Sequence, residues 1–399
     1  MILRVTLVAA FALLNAGVVT RLDDAPLVTA ASPAGATPPA PESAAALDAG
    51  HRSPCQPAPL AQRAGQVLVV GLPGVTTSSA PLVREVLDAH VGGVLIGESN
   101  VRSVAQVGQL VADVRARAGR PLIVSSDEES GRVSRLGDLV GITPSPRRMA
   151  DGRPSAVRQF AKRLGSRLAA VGVNLDLAPV ADLDDGPAGG VVGDRSFSDD
   201  PATAASFALA YAEGLSAAGV TPTAKHFPGH GRTSVDTHVR MPTVDAPLDD
   251  LLATDVRPFS ALIDAGVPAV MLNHVSYTAL DGGLPASLSP KAYRLLRDMG
   301  FRGVAITDAI DMGAVQPRWS LPEAAVRAVQ AGADGVLTND GTRARAMRDA
   351  LVAAVTRGRL AEARLTEAAG RVLALAGGDA AAFTCRPVDL PALPGAAVP

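Results

Sequence analysis

The densest group of reactive side chains in this sequence lies between residues 225 and 238. Lys225 and His226 open the segment KHFPGHG, and His230 lies within it. Asp236 and His238 follow two positions apart, so the carboxylate can orient the imidazole and stabilise its charge. A histidine held in this way is suited to general acid and base catalysis near neutral pH. The two glycines of the segment allow a loop to close over a substrate.

The same histidines suggest an alternative, in which His226, His230 and His238 bind a metal ion. Their spacing matches no helical metal-binding motif, and neither cysteine of the chain lies near them. We therefore favour acid–base chemistry over this alternative and expect no metal site.

A second chemical feature is the carboxylate at the end of the apolar run 303–309. Asp308 lies at the point where this run ends, so its side chain would project beyond the strand. A carboxylate in that position can attack an anomeric carbon and leave a covalent glycosyl intermediate. The alternative is that Asp308 or Asp311 caps the next helix. Asn273 and His274, at the end of another apolar run, are weaker candidates for a supporting role.

Charged side chains also follow the apolar run 122–127, in the sequence DEESGRVSR. Asp127 can accept two sugar hydroxyls, and Arg135 can offer a planar pair of donors to an oxygen-rich ligand. Arg195, in the segment GDRSF of a later loop, can reach the same place. The alternatives are a structural cluster of ion pairs around residues 127–135 and an Arg195 that faces solvent.

These residues require a scaffold that brings several strand ends together. Eight short apolar runs alternate with amphipathic stretches, which is typical of parallel strands covered on both faces. The pattern predicts a single catalytic domain of the (β/α)8 TIM-barrel type, with its chemistry at the carboxyl ends of the strands. A doubly wound sheet is the alternative, but no glycine-rich dinucleotide motif follows the first run. The predicted strands span residues 66–72, 92–97, 122–127, 173–182, 221–229, 269–277, 303–309 and 334–339, with helices that include 104–118, 155–170, 201–218 and 248–265.

The composition narrows the class of ligand. The 399 residues carry a net charge of −2, without the excess of Lys and Arg that nucleic-acid binding requires. A hydrophobic content of 47% excludes a mostly disordered chain, and an aromatic content of 3% disfavours a long cleft that stacks many bases or sugars. A small pocket of polar groups fits better, and no nucleic-acid partner is expected.

Taken together, these segments resemble glycoside hydrolase family 3, in particular its bacterial single-domain β-N-acetylglucosaminidases that act on peptidoglycan fragments. The resemblance covers roughly residues 60–375 and rests on four segments in the right order. KHFPGHG followed by Asp-x-His is highly specific, and DEESGRVSR, GDRSF and TDAIDMGA support it. Two positions depart from the family pattern: Ser130 replaces a usual Gly, and Arg232 replaces a frequent Asp.

The resemblance implies an exo-β-N-acetylhexosaminidase that works by retaining, two-step hydrolysis from the non-reducing end, without a metal or an organic cofactor. Asp308 matches the family's nucleophile, His238 matches its acid/base on a mobile loop, and Asp236 matches the carboxylate that holds this histidine. The remaining matches are positions that hold the terminal N-acetylglucosamine, namely Asp127, Arg135, Arg195, Lys225 and His226. The implied roles are carbohydrate metabolism and peptidoglycan turnover.

The terminal segments predict export. Residues 1–30 contain an apolar run, 5–19, that is short for a membrane span and typical of a signal peptide, although an uncleaved membrane anchor is the alternative. Residues 31–54 are rich in Ala and Pro and predict a linker before a barrel domain at 55–385 and a tail at 386–399. Export permits a disulfide, which we expect between Cys55 and Cys385. The expected location is secreted or in the cell envelope.

Several alternatives stay open at this stage. A phosphorylase would use phosphate in place of water, because a neutral histidine repels phosphate less than a glutamate would. A β-glycosidase for another sugar, a metal-dependent barrel hydrolase and an inactive wall-fragment binder are further alternatives. Muropeptides, chitin oligomers and glycoprotein sugars all remain as substrates. A monomer is the simplest expectation, and a membrane partner is expected only if the N-terminal segment is uncleaved.

Overall fold

The centre of the structure is a ring of eight parallel strands, in a computed structural model that describes residues 55–396. The strands are β1 (Leu68–Gly71), β2 (Gly93–Leu95), β3 (Ile123–Ser126), β4 (Leu175–Asp176), β5 (Thr221–Phe227), β6 (Ala269–Leu272), β7 (Val304–Thr307) and β8 (Val336–Thr338). Strands β1 to β7 pair in chain order, and β8 pairs with β1, with Val336 opposite Leu68. A bridge between Ile306 and Gly335 joins β7 to β8 and completes the ring. The predicted (β/α)8 barrel is confirmed, and the doubly wound alternative is wrong.

The strands are covered on both faces, as their continuous apolar character predicts. Because side chains alternate along a strand, Val69 lies inside the ring while Leu68 and Val70 face the helices. Burying each such aliphatic side chain stabilises the fold by roughly 1.5–3 kcal/mol. The interior cluster includes Val69, Leu95, Ile123, Leu175, Leu177, Met271, Ile306 and Leu337.

Helices surround the ring and connect its strands. The prediction of one continuous helix at 248–265 is wrong, because the structure has two helices there, separated at residues 254–256. Pro258 lies in the first turn of the second helix, where its missing N–H and its ring prevent a continuous helix from running through this point. The helices are α1 (Leu60–Gln66), α2 (Pro81–Asp88), α3 (Val104–Ala118), α4 (Pro146–Met149), α5 (Pro154–Ala170), α6 (Pro201–Ser216), α7 (Leu248–Ala253), α8 (Arg257–Asp264), α9 (Pro290–Asp298), α10 (Leu321–Ala331), α11 (Ala344–Thr356), α12 (Glu362–Leu375) and α13 (Ala380–Thr384).

The segments after the strands are irregular, so several predicted strands are too long. In the run 173–182 the regular strand is only β4, because Pro179 has no amide to donate to a neighbouring strand, and the pairing with β5 continues as a single bridge between Val180 and Lys225. After β3, Glu128–Ser130 and Val133–Ser134 form a small antiparallel hairpin. After β5, the chain continues as a loop to Thr243–Val244, which pairs with Ser276–Tyr277. These irregular segments surround the carboxyl ends of the strands.

The two ends of the described chain meet. Cys55 and Cys385 form the expected disulfide bond. Leu393, in the predicted tail, is buried in the main apolar cluster. The predicted signal peptide or anchor at 1–30 and the linker at 31–54 lie outside the described residues, and the boundaries at 55–385 and 386–399 stay predictions. Within residues 55–396, no helix is both long enough and apolar enough to cross a membrane.

Candidate active site

A cavity of about 350 Å³ opens at the carboxyl ends of the barrel strands. This volume is within the range of small-molecule sites. The structure brings all eight predicted catalytic and sugar-binding residues to its wall, namely Asp127, Arg135, Arg195, Lys225, His226, Asp236, His238 and Asp308. They come from the ends of β3, β5 and β7, from the loops that follow β4 and β5, and, for Arg135, from the end of the hairpin after β3. Their chemical roles stay predictions.

Glu129 lies at the centre of a buried ion-pair network on one wall of the cavity. Its side chain is 1% exposed and receives two hydrogen bonds from Arg195, 2.6 Å from Nε and 2.8 Å from Nη2. Lys225 Nζ lies 2.6 Å from Glu129 Oε1 and donates to Asp127 Oδ1 at 2.7 Å. Burial opposes ionisation of Glu129, but Arg195 and Lys225 outweigh it and hold its pKa below the ordinary range. The wall therefore presents charged donors and acceptors in fixed orientations.

Asp182 organises the segment that follows Lys225. Its Oδ2 lies 2.6 Å from His226 Nδ1, and its Oδ1 accepts from the backbone amides of His226 (3.2 Å) and His230 (2.7 Å). Burial opposes ionisation of Asp182, but the His226 imidazole outweighs it and lowers the pKa of the carboxyl. His226 Nε2 lies 3.3 Å from Arg195 Nη2, so this imidazole connects Asp182 to the ion-pair network. Burial lowers the pKa of His230 to about 4, which keeps its ring neutral.

Asp308 follows β7 and is half-buried at the bottom of the cavity. Its Oδ1 accepts the amide hydrogen of Ala309 at 2.8 Å, and among the described residues its Oδ2 has no hydrogen-bond donor. Burial alone would raise the pKa of Asp308, but the fields of His274 and His226 and the Ala309 amide outweigh it and lower the pKa. The result is an ionised carboxylate with one oxygen available to a ligand.

Asp236 and His238 lie on the loop after β5, on the solvent side of the cavity. Asp236 Oδ1 lies 2.8 Å from His238 Nδ1 and also accepts the His238 amide at 2.8 Å. Their side chains are 49% and 71% exposed. If Nδ1 carries the hydrogen donated to Asp236, Nε2 is the atom left to exchange a proton with a ligand.

Three positions discussed from the sequence differ in their surroundings. Arg135 is exposed at the cavity rim, and its guanidinium has no hydrogen-bond partner within the described part of the chain. Ser130, which replaces a usual Gly, has φ of 75° and therefore adopts the left-handed conformation that glycine favours. Arg232 lies at the start of the loop and pairs with Asp255 at 2.7 Å, which fixes that end of the loop to the α7–α8 connection.

The alternatives for the other polar residues are resolved by their contacts. Neither Asp308 nor Asp311 caps a helix, since α10 begins only after Ser320 and Asp311 accepts from the Asn339 amide (2.9 Å). Asn273 and His274 are buried behind the cavity wall, where His274 Nε2 lies 2.9 Å from the Ala309 carbonyl oxygen. Within residues 55–396, no three His, Cys, Asp or Glu side chains are grouped closely enough to hold a metal ion, so the three histidines do not form a ligand set.

Two residues that organise the site, Glu129 and Asp182, were not selected from the sequence. The signal for Glu129 is its spacing of two from Asp127, which in an extended chain places both carboxylates on the same side. The signal for Asp182 is an acid at the end of the mostly apolar run 173–182. In both cases the partners are distant in sequence, 66 residues for the Glu129–Arg195 pair and 44 for the Asp182–His226 pair.

A barrel enzyme with an available carboxylate and a carboxylate-held histidine at its strand ends contains the parts of a glycoside hydrolase. Comparisons with known proteins agree. The glycosyl hydrolase family 3 N-terminal domain matches residues 60–375. Beta-hexosaminidase LpqI of Mycobacterium tuberculosis is 40% identical over 321 residues, which are 78% of this chain and 81% of the relative.

Two solved structures extend the comparison. A glycosyl hydrolase of the same family from Mycobacterium smegmatis is 40% identical, with a TM-score of 0.74 over 79% of this chain and 97% of that one. A beta-N-acetylhexosaminidase from Beutenbergia cavernae is 32% identical, with a TM-score of 0.73 over 80% and 98%. The chain belongs to glycosyl hydrolase family 3, and the prediction that it is a glycoside hydrolase is confirmed.

Proposed function

We propose that this enzyme is a retaining exo-β-N-acetylhexosaminidase that removes a terminal non-reducing N-acetylglucosamine. The observation that carries the proposal is one cavity lined by the available Asp308 carboxylate, the Asp236–His238 pair and the network around Lys225. The names of the relatives, beta-hexosaminidase and beta-N-acetylhexosaminidase, support the choice of sugar. The roles below follow from the contacts of these side chains.

In the first step, Asp308 acts as the nucleophile. Its carboxylate oxygen attacks the anomeric carbon and forms an ester bond, while the bond from that carbon to the leaving oxygen breaks. The protonated His238 gives the Nε2 proton to the leaving oxygen, and Asp236 stabilises the charge on the imidazole before the transfer. The aglycone departs as an alcohol, and His238 is left neutral.

In the second step, the neutral His238 takes a proton from water. The resulting oxygen nucleophile attacks the anomeric carbon, and the ester to Asp308 breaks, which restores the carboxylate and the imidazolium. Two displacements on one carbon retain its configuration. Phosphate in place of water would give a sugar 1-phosphate, so assays with and without phosphate distinguish the phosphorylase alternative.

Substrate recognition is assigned to the charged wall. Asp127, Lys225 and Arg195 are already oriented by their ion pairs, so they lose little conformational freedom when they bind sugar hydroxyls. His226 is held by Asp182 at one nitrogen, which directs the other toward the cavity. The guanidinium of Arg135 lies at the rim, has no partner among the described residues and can close over the bound sugar. The apolar side chains of the same cavity include Leu95, Met271, Met312 and Leu337.

The central experiment replaces the nucleophile. Asp308→Ala should lower kcat for an aryl β-N-acetylglucosaminide by about 10⁴-fold or more. The matched control is Asp298→Ala on the exposed end of α9, which should keep wild-type activity and show that no contaminating enzyme is present. Wild-type turnover by purified Asp308→Ala would refute the assignment.

Azide separates the roles of the two catalytic groups. In His238→Ala, azide can attack the glycosyl ester and should give the β-glycosyl azide, with two inversions in total. In Asp308→Ala, azide can attack the substrate directly and should give the α-glycosyl azide. The anomeric configuration of each product is read by NMR, and the same azide anomer from both variants would contradict the two-step mechanism.

We also propose that the enzyme is exported and acts on peptidoglycan fragments. The apolar run at 5–19 and the Cys55–Cys385 disulfide support export, because disulfides persist in oxidising compartments. Cell fractionation of the native host tests the location. Product analysis on defined muropeptides and on chitobiose tests the substrate, and a strong preference for chitobiose would overturn the peptidoglycan assignment.

A further inference from the structure

The loop that carries His238 is bonded to the chain that follows the nucleophile. We call residues 231–240 the acid–base loop. Its carbonyl oxygens at Thr237 and His238 accept hydrogen bonds from the amides of Ala314 and Gly313, at 3.0 and 3.1 Å respectively. A backbone contact therefore joins the two catalytic groups of the proposed reaction.

Gly313 allows this contact because it has no side chain. A Cβ atom at this position would lie 2.4 Å from the carbonyl oxygen of His238 and 2.6 Å from that of Val239. An ordinary contact begins at 3.4 Å, so the loop would have to withdraw by about 1 Å. Gly313 has no positive φ, and the need for glycine comes from the close approach of two backbones.

The chain under the acid–base loop is fixed to the barrel on its other side. The Ile310 amide donates to the carbonyl oxygen of Leu337 in β8 at 2.9 Å. Asp311 accepts from the amide of Asn339, the residue after β8, at 2.9 Å. Residues 310 and 311 are thus bonded to the end of β8, and the next residues, 313 and 314, bond to the loop.

Within the loop, one residue is an anchor and its two neighbours face outward. Thr237 is 3% exposed, and its Oγ1 lies 3.4 Å from Nε2 of the buried His230. Asp236, Thr237 and His238 all line the cavity, but only Asp236 and His238 are exposed. The position of the imidazole therefore depends on how closely the backbone at 237–238 approaches Gly313.

We propose that Gly313 is a positioning residue for His238. It lets the acid–base loop approach closely enough to place the imidazole beside the cavity that holds Asp308. The inference rests on the proposed function, because it takes His238 as the acid/base. Gly313 does not line the cavity, so its replacement acts on proton transfer and leaves sugar binding unchanged.

The test compares Gly313→Ala with Gly97→Ala. A Cβ atom at Gly97 meets nothing within 4 Å, and its φ of −121° suits any residue. A displacement of about 1 Å can cost about 100-fold in rate. For Gly313→Ala we expect kcat/KM on chitobiose, which has a poor leaving group, to fall about 100-fold. With a 2,4-dinitrophenyl leaving group, which needs no proton, the fall should be less than about threefold.

Two further measurements separate positioning from a general structural defect. The double variant Gly313→Ala/His238→Ala should be no slower than His238→Ala alone, because both changes remove the same proton transfer. Hydrogen–deuterium exchange should show loss of protection at residues 309–316 in Gly313→Ala but not in His238→Ala. Thr237→Val removes the hydroxyl next to His230. It should lower kcat/KM on chitobiose and the exchange protection of residues 309–316 as Gly313→Ala does, but by a smaller amount.

The outcomes distinguish this inference from the proposed function. Additive losses in the double variant, or a Gly313→Ala enzyme that behaves like Gly97→Ala, would overturn the positioning role. A His238→Ala enzyme with equal losses on all leaving groups would overturn the acid/base assignment, while the exchange data would still report the loop contact. If Gly313→Ala has a lowered Tm, the Thr237→Val variant becomes the deciding test. Wild-type kcat/KM on chitobiose and wild-type exchange at residues 309–316 in Thr237→Val would then overturn the inference.

Discussion

The replacement of Glu128 by Gln should change the pH dependence of stability. Glu128 is 1% exposed and is the first residue of the hairpin that follows β3. Its Oε1 accepts the amides of Arg135 (2.6 Å) and Leu136 (2.5 Å), while its buried Oε2 has no hydrogen-bond partner among the residues that the structure describes. Burial is the main cause that raises the pKa of Glu128 from an ordinary 4.5 to about 7, and the nearby Asp127 adds to it.

Stability should fall as the pH rises, because the folded state favours the protonated form of Glu128. Below pH 4.5 Glu128 is protonated in both the folded and the unfolded state, so its ionisation does not lower the free energy of unfolding. As the pH rises, the unfolded chain releases the proton first, so stability falls until the pH exceeds the folded value of about 7. At about 1.36 kcal/mol per pH unit, the cost is about 3 kcal/mol at pH 8.5 and about 1 kcal/mol at pH 5.

Glu128→Gln keeps an oxygen for the two amides and cannot ionise. The free energy of unfolding of the variant relative to the wild type should therefore increase by about 2–3 kcal/mol between pH 5 and pH 8.5. Urea unfolding, followed by the fluorescence of Trp319 at each pH, measures it. The charge of Glu128 contributes to the raised pKa of Asp176, so removing that charge should add to this increase in the variant. Parallel stability curves for the two proteins would refute the reasoning.

Two further predictions concern the buried charges and the disulfide. Glu129→Gln leaves Arg195 and Lys225 without their shared anion, and it should lower the free energy of unfolding by about 3–5 kcal/mol and raise KM. Urea unfolding and steady-state kinetics check this, and an unchanged unfolding free energy would contradict it. Replacing both Cys55 and Cys385 by Ser opens a link across 330 residues and should destabilise the protein by about 2–5 kcal/mol. Activity at 25 °C should persist because neither cysteine lines the cavity, and a thermal scan with an activity assay would show whether stability and catalysis separate in this way.

Much of the fold could be predicted from the sequence because a barrel repeats the same unit, a strand followed by a helix. Each strand is a short apolar run, and each run could be recognised without knowing its partners. The residues that line the cavity could be selected because a barrel brings the ends of all its strands to one face. Asp308 needed only its place after an apolar run, and His238 only its spacing from Asp236.

What escaped prediction depends on contacts between distant parts of the chain. Glu129 is one of three acids in a row, and only the fold shows which of them meets Arg195 and Lys225. Gly313 is an ordinary glycine in the sequence, and its constraint arises from a backbone about 75 residues away. The break between α7 and α8 had a local signal in Pro258, which the helical periodicity outweighed in the prediction.

The unequal burial across the cavity matches the two tasks that a glycosidase performs. A sugar is held by groups that must already be oriented, and a buried network such as Glu129 with Lys225 fixes them without help from the substrate. The proposed acid/base must instead gain and lose a proton in every turnover, which needs contact with water, and the His238 side chain is 71% exposed whereas that of Glu129 is 1% exposed. Exposure removes the packing that would otherwise hold an imidazole in place. The backbone contact at Gly313 fixes the loop while leaving the ring itself in solvent, so the enzyme keeps both proton exchange and position.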